Sequence, residues 1–363
     1  MMIAIDAEPA NRKIRTGTEN TAFNLIKELI KIDGGTVDRR YVLFTREDLW
    51  PDFPPLPDNF KHIKLSWFFP FFWSQIRLGL ALRKLRPHIT FIPSHSIPLL
   101  APAPFVTVVH DIGFIERPDL YKWPWRLFHR FSLNQALARA SIIITPTRTV
   151  KESILKYRPN VKTPIEVVYW GIDHSLFKPE LQAGDEQILE ELNLLGKNYF
   201  LYIGRLEKKK NTARLVSAFR NLKIKYPDIE LVLVGHASEE IDLKGTIFLG
   251  YQPTEKTSVL YRYALAFVFP SRYEGFGLVV IEAMSSGCPV IASDIPVLSE
   301  ISGGASLHVD VTNNNELIEA MDKVIANPSL RENLKAKGLT EAQKYNWGTA
   351  AEQILNLVVK AAK

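Results

Sequence analysis

The chain has 363 residues, 46% of them hydrophobic and 23% charged, the balance of a globular protein long enough for two ordinary domains. Its net charge of +6 is uneven: residues 1–168 carry 24 Lys and Arg against 15 Asp and Glu, a net +9, and the remainder is net −3, so the first half seeks an anionic partner or surface. A single cysteine, Cys288, excludes an internal disulfide and reads as inert core, and no apolar run is long enough to span a membrane. The first residues, Met-Met-Ile-Ala-Ile-Asp-Ala, read as a core strand rather than a signal peptide, and a reducing cytoplasm is the simplest setting.

Taken in chain order, strands and helices alternate. Met2–Ala7 reads as a strand, Thr18–Lys31 as a helix from apolar spacing near 3.6, Tyr41–Thr45 as a strand and Ser74–Leu85 as a helix. Strands follow at Ile89–Ile92, Phe105–His110 and Ser141–Thr145, with a helix at Leu127–Ala140 before the last. A second series opens at strand Tyr199–Ile203 and runs through helix Thr212–Lys225, strands Ile229–Val234 and Thr246–Leu249 and helix Thr254–Tyr263. Strand Ala266–Phe269, helix Leu278–Ser286 and strand Pro289–Ser293 complete it, and a last helix covers Gly348–Ala362. Such alternation predicts two parallel, doubly wound, Rossmann-like α/β domains. The expected boundaries are 1–174, a linker at 175–197, 198–347 and a terminal helix at 348–363.

The most informative stretch is 271–291. Glu274 follows a buried strand, Gly275 and Gly277 let the loop bend, and Leu278 opens a helix carrying Glu282 about one turn in. Both carboxylates can therefore face one cleft, and the N–H groups of Phe276, Gly277 and Leu278 favour an anion. A strand, glycine loop and helix of this kind can offer N–H groups to a diphosphate and carboxylates to sugar hydroxyls. Upstream, Arg205 and Lys210 stand five positions apart after strand Tyr199–Ile203, placed to clamp a diphosphate.

The 271–291 stretch resembles the glutamate-x7-glutamate motif of the retaining glycosyltransferases of family 4, which have the GT-B fold. The resemblance covers nearly the whole chain, most strongly 199–310. It implies two Rossmann-like domains facing a central cleft, with the terminal helix crossing back to the first. It assigns Glu274 to the donor sugar and Glu282 to the ribose of the nucleotide. Arg205 and Lys210 match the family's Gly-Arg…Lys-Asn element and would stabilise the leaving diphosphate. His110, in Val108-Val109-His110-Asp111, stands where the family has a histidine near the sugar; Asp111 reads as only orienting the loop.

Departures and secondary elements complete the comparison. The family often has a glycine pair after the first strand; this chain has Gly17 alone, in the basic loop 12–18 where Arg15 could add charge. Val279 replaces the proline common within the glutamate motif. Residues 293–300 resemble the loop after the next strand, where a Glu precedes a helix, making Glu300 a nucleotide contact or a cap. Gly171-Ile172-Asp173 resembles a Gly-Val-Asp element at the interdomain linker, with Asp173 structural.

The resemblance implies an enzyme that moves a hexose, mannose favoured, from GDP-mannose or a UDP-sugar to a saccharide or lipid-linked acceptor, with retention. No Asp-x-Asp pair or histidine cluster at ligand spacing occurs, consistent with a metal-independent enzyme without cofactor. Aromatics beside cations at 67–86 and 121–130 suit an anionic membrane surface, and equally a core or a sugar groove. Nothing fits nucleic acid. A nucleotide-sugar epimerase would need no acceptor. A dinucleotide oxidoreductase would want Gly-x-Gly-x-x-Gly after the first strand, which is lacking. A non-catalytic sugar-nucleotide-binding or scaffold protein would be insensitive to Glu274→Gln.

Overall fold

A computed structural model describes residues 1–69 and 72–363; Pro70 and Phe71, within the aromatic run noted above, lie outside the described residues. The chain divides into two compact units, Met1–Gly171 with Asn346–Lys363, and Ile172–Tyr345.

The first unit holds a seven-stranded parallel sheet: β1 (Met2–Asp6), β2 (Arg40–Thr45), β3 (Phe60–Lys64), β4 (Ile89–Ile92), β5 (Phe105–Val108), β6 (Ile142–Thr145) and β7 (Ile165–Val167). Their order is β3-β2-β1-β4-β5-β6-β7, so the winding reverses between β1 and β4. Ile3 pairs with Tyr41 on one side and Ile89 on the other. The central strands are short apolar runs buried throughout, the pattern of a sheet covered on both faces. Helix Gly17–Asp33 buries Leu25, Ile26 and Leu29, and helix Trp347–Ala361 packs against it with Ile354 and Val358 buried. The end of the chain thus completes the core of the first unit.

The second unit holds six parallel strands: β8 (Tyr199–Ile203), β9 (Glu230–Val234), β10 (Ile247–Phe248), β11 (Ala266–Phe269), β12 (Val290–Ser293) and β13 (Ser306–Val309). The order β10-β9-β8-β11-β12-β13 reverses between β8 and β11. In an open parallel sheet, that reversal separates the loops leaving two adjacent strands and leaves a crevice at their carboxyl ends.

The two doubly wound, Rossmann-like units agree with the expected fold class. Several elements differ from the sequence reading. The single helix expected over Ser74–Leu85 is a π-helix, Trp73–Leu78, running into an α-helix, Gly79–Leu85. Strands β3, β7 and β13 and helices Arg148–Tyr157, Asn314–Ala326 and Pro328–Ala342 were not expected. Residues 175–197, expected as a linker, lie within the second unit. There helix Asp185–Glu191 is fastened by Arg262, whose Nε and Nη2 donate to the two Asp185 oxygens at 2.9 and 2.7 Å. Both side chains of this pair are buried, and burial opposes the charge on Asp185 while Arg262 holds its carboxyl below the usual range.

Removing one partner strands the other as a buried, unpaired charge. Asp185→Ala is therefore expected to cost about 3–5 kcal/mol, read as a lowered urea midpoint of the second unit's transition.

Candidate active site

The second unit's reversal point is built from three strand-end loops that are tied to one another. After β8, Gly204 and Arg205 leave the sheet, and the Tyr202 hydroxyl donates to the Arg205 carbonyl at 2.7 Å. The chain returns through Leu206, whose N–H donates to the His236 carbonyl at 2.9 Å in the loop after β9. Gly235 makes this crossing possible: its φ is +136°, and a Cβ there would lie 1.9 Å from the Gly204 carbonyl oxygen. A short 3-10 turn, Lys208–Lys210, follows, and Asn211 takes the left-handed φ of +59° before helix Thr212–Lys225. Asn tolerates that conformation better than most side chains.

The loop after β11 lies against this turn. The Arg272 N–H donates to the Lys209 carbonyl at 2.9 Å. Ser271 is held from β12 by the Ser293 hydroxyl, which donates to its carbonyl at 2.5 Å. The result brings two of the expected residues together: Lys210 Nζ donates to Glu274 Oε1 at 2.5 Å. Glu274 is 8% exposed, and Lys210 Nζ also lies 5.2 Å from the Phe269 ring centroid. The ammonium is thus fixed at the carboxyl ends of β8 and β11. Arg205 is exposed and forms no ion pair among the described residues.

Gly277 ends the loop with φ +105°; a Cβ there would stand 2.9 Å from Leu298 Cδ2 and 3.1 Å from Ile301 Cδ1. Helix Leu278–Ser285 begins at once, with no side chain capping its first N–H groups. The turn from Gly275 to Leu278 therefore leads into a positive helix end, the kind of end that favours an anion. The Phe276 side chain is buried edge-on to Tyr345 at 5.9 Å, so its ring belongs to the core of the unit.

Glu282 sits on this helix with a different partner. Tyr261, fully buried, donates its hydroxyl to Glu282 Oε2 at 3.3 Å. No cation pairs with Glu282 among the described residues. Although the residue keeps some surface, burial of the carboxyl pushes its pKa up to about 7, opposed by the Tyr261 hydrogen bond.

Three expectations need revision. Gly17 does not sit in the basic loop but is the first residue of helix Gly17–Asp33, where the Glu19 carboxylate accepts from the Thr16 N–H at 2.9 Å. Arg15 is committed to its own loop: it forks onto Asp52 at 2.5 and 3.0 Å, donates to the Ala10 carbonyl at 2.8 Å and lies over Phe23. Glu300 neither precedes nor caps a helix; it is the fifth residue of helix Pro296–Ser302, whose N-cap position is Ile295.

In the first unit, His110 follows β5. Its Nε2 donates to the Pro93 carbonyl at 2.9 Å, leaving Nδ1 as the acceptor of the neutral ring. Burial lowers its pKa, so the ring is neutral at physiological pH. Asp111 does organise the loop, accepting from the Gly113 N–H at 2.9 Å and the Tyr121 hydroxyl at 3.3 Å. Asp173, in the second unit, accepts from the Ser175 N–H at 3.0 Å. Tyr202, Gly235 and Tyr261 were missed by sequence reasoning. The Val-Gly step ending β9 was the available signal for Gly235; the two tyrosines look like ordinary core aromatics.

Two parallel Rossmann-like units, with a Lys–Glu pair and a glycine-started helix at the second unit's reversal point, define a glycosyltransferase of the GT-B class. The described fold is similar to that of Anabaena Alr3699/HepE in complex with UDP and glucose: TM-score 0.77, 18% identity, covering 99% of each chain. Family models match in both units, "Glycosyltransferase Family 4" over residues 15–176 and "Glycosyl transferases group 1" over 185–340. The chain is 30% identical over 295 residues to the O-antigen chain mannosyltransferase B of Escherichia coli, covering 77% of this chain and 76% of that one. It is also 30% identical over 256 residues to the O-antigen chain mannosyltransferase RfbU of Salmonella typhimurium, covering 66% and 67%. The chain belongs to glycosyltransferase family 4.

The raised pKa of Glu282 has a sign that can be tested. The folded chain holds this proton more tightly than the unfolded chain, whose glutamate ionises near 4.5, so the contribution is full below that pH and lost as pH rises through about 7. Glu282→Gln is expected to melt above wild type at about pH 8, by up to about 3 kcal/mol, with the gap closing near pH 4. Thermal melts at the two pH values check it.

Proposed function

We propose that this enzyme transfers a hexose, mannose in the first instance, from a nucleotide-diphosphate sugar to an acceptor hydroxyl with retention at the sugar carbon. The observation that carries the reading is the Lys210–Glu274 pair at the carboxyl ends of β8 and β11. GDP-mannose is the favoured donor because the relatives named above are mannosyltransferases, with a UDP-sugar next. The acceptor is a saccharide or lipid-linked saccharide in surface polysaccharide or glycolipid assembly. The work takes place in the cytoplasm, against the anionic inner face of the membrane. Among the described residues, no helix is long and apolar enough to cross a membrane.

Each residue has a distinct part. Lys210 and Arg205 clamp the diphosphate, where charge develops as the bond from the sugar carbon to phosphate oxygen breaks. The diphosphate then competes with Glu274 for Lys210, and the released carboxylate meets the donor sugar's hydroxyls. The backbone from Gly275 to Leu278 donates to phosphate, and Glu282 takes the ribose. His110, neutral, meets the donor sugar. The acceptor oxygen bonds to the sugar carbon on the face the phosphate leaves, and its proton passes to the leaving phosphate. Cations and N–H groups replace a metal ion in this scheme.

Two measurements test the reading. Thermal shifts with UDP, GDP, ADP and their sugars are expected to show one selective nucleotide, worth roughly 2.7 kcal/mol at about a hundred times its Kd. The shift is lost in Glu282→Ala and indifferent to EDTA. In transfer assays with that donor, Lys210→Ala and Glu274→Gln are each expected to lower kcat by about 10²–10³-fold. A folded protein that shifts with no nucleotide would remove the basis of the proposal.

A further inference from the structure

A second feature of the first unit is unrelated to phosphate chemistry. A groove of about 360 Å³ is lined by Phe72, Ile76, Leu99, Leu100, Phe128 and Phe131. Its walls are the π-helix, the loop through residues 98–101 and helix Trp123–Arg139. These walls are fastened from behind. The buried Trp73 donates its Nε1–H to the Leu65 carbonyl at 2.7 Å. Arg139 holds the loop through the Pro98 and Ala101 carbonyls at 3.1 and 2.9 Å. Gln75 also lines the groove, with its amide tied into the wall: Nε2 donates to Ser96 Oγ at 2.8 Å and Oε1 accepts from the Leu99 N–H at 3.2 Å. What is left facing the opening is hydrocarbon.

The same helix carries the groove's aromatic rim outward. Trp123 is 67% exposed and Trp125 54% exposed. Exposure of this size costs free energy in water and marks a contact surface. The charge in the flanking sequence is mainly positive, with Asp111, Glu116 and Asp119 in the short segment between two acid-free stretches. From residue 59 to 110 the sequence has six Lys and Arg and no Asp or Glu, and from 120 to 151 again six and none. Arg77, Arg83, Lys84, Lys122, Arg126 and Arg130 form no ion pairs among the described residues. Arg126 is half-buried and Arg130 exposed on that same helix.

We propose that this groove and its cationic rim are the surface by which the protein docks on an anionic bilayer, lipid hydrocarbon filling the groove and headgroup phosphate meeting Arg126 and Arg130. The inference rests on the reading above that the acceptor is reached at a membrane, and it places that contact on the first unit. A second protein is less well served: it would have to match two acid-free segments and an exposed aromatic helix at once. A bilayer supplies hydrocarbon and phosphate together at one depth.

The test is cosedimentation of the full chain with sucrose-loaded vesicles of phosphatidylcholine alone or mixed with phosphatidylglycerol. Wild type is expected to pellet with the mixed vesicles and to be released by salt. Arg126→Gln with Arg130→Gln should lower the partition coefficient about fivefold per charge removed. Phe128→Ser and Phe131→Ser, at exposed positions, should each lower it about tenfold at unchanged melting temperature. Three results would overturn the proposal: no pelleting of wild type with anionic vesicles, serine variants that pellet like wild type, or a wild-type dimer by analytical ultracentrifugation that Phe131→Ser dissociates, which would mean a second copy covers the groove. Nucleotide-induced thermal shifts, measured without vesicles on the same samples, report separately on the proposed transfer activity.

Discussion

The second unit depends on one arrangement, an ammonium held by a carboxylate where a parallel sheet changes its direction of winding. Lys210 and Glu274 come from loops leaving adjacent strands, β8 and β11, that are 64 residues apart in sequence. Two mostly buried groups of opposite charge meet there at 2.5 Å, each the other's counterion. Around them the backbone is fixed from three directions, by Tyr202, by Arg272 on Lys209 and by Ser293 on Ser271. On the proposed reading, in which Lys210 meets a diphosphate, the cation is thus kept in place without one, and Glu274 stands in for the anion at the cost of some affinity when it arrives.

How far the sequence disclosed this fold depends on where each strand lies in its sheet. β4, β6, β8, β11 and β12 are runs of buried apolar residues with no alternative reading, and all were recognised. β3, β7 and β13 were not, and each is an edge strand. Phe60-Lys-His-Ile-Lys64 and Ser306-Leu-His-Val309 alternate with polar residues because one edge or face meets solvent. Ile165-Glu-Val167 has only three residues. Among the missed helices, Pro328–Ala342 scatters its apolar residues around the circumference, which blurs a 3.6 period.

At the candidate site the legible residues were those whose chemistry is local. Glu274, Arg205 and Lys210 follow strands, and a charge after a buried strand is visible in the sequence. Gly17 was misplaced because helix starts shift by a residue or two without changing the apolar pattern, and Glu300 because the helix already begins at Pro296, four residues before it. Arg15 could not be assigned from its neighbours, since its partner Asp52 is far along the chain. Tyr261 escaped for a similar reason: nothing in its own helix says that its hydroxyl turns to Glu282.

That tyrosine–carboxyl contact reaches further than local geometry. Near neutral pH, Glu282 is divided between its protonated and ionised forms. A ribose diol that donates to both oxygens requires the ionised form, so filling the site releases a fraction of a proton to the buffer. The heat of donor binding would then depend on the ionisation enthalpy of whatever buffer accepts that proton, even though the reaction scheme itself contains no step at this residue.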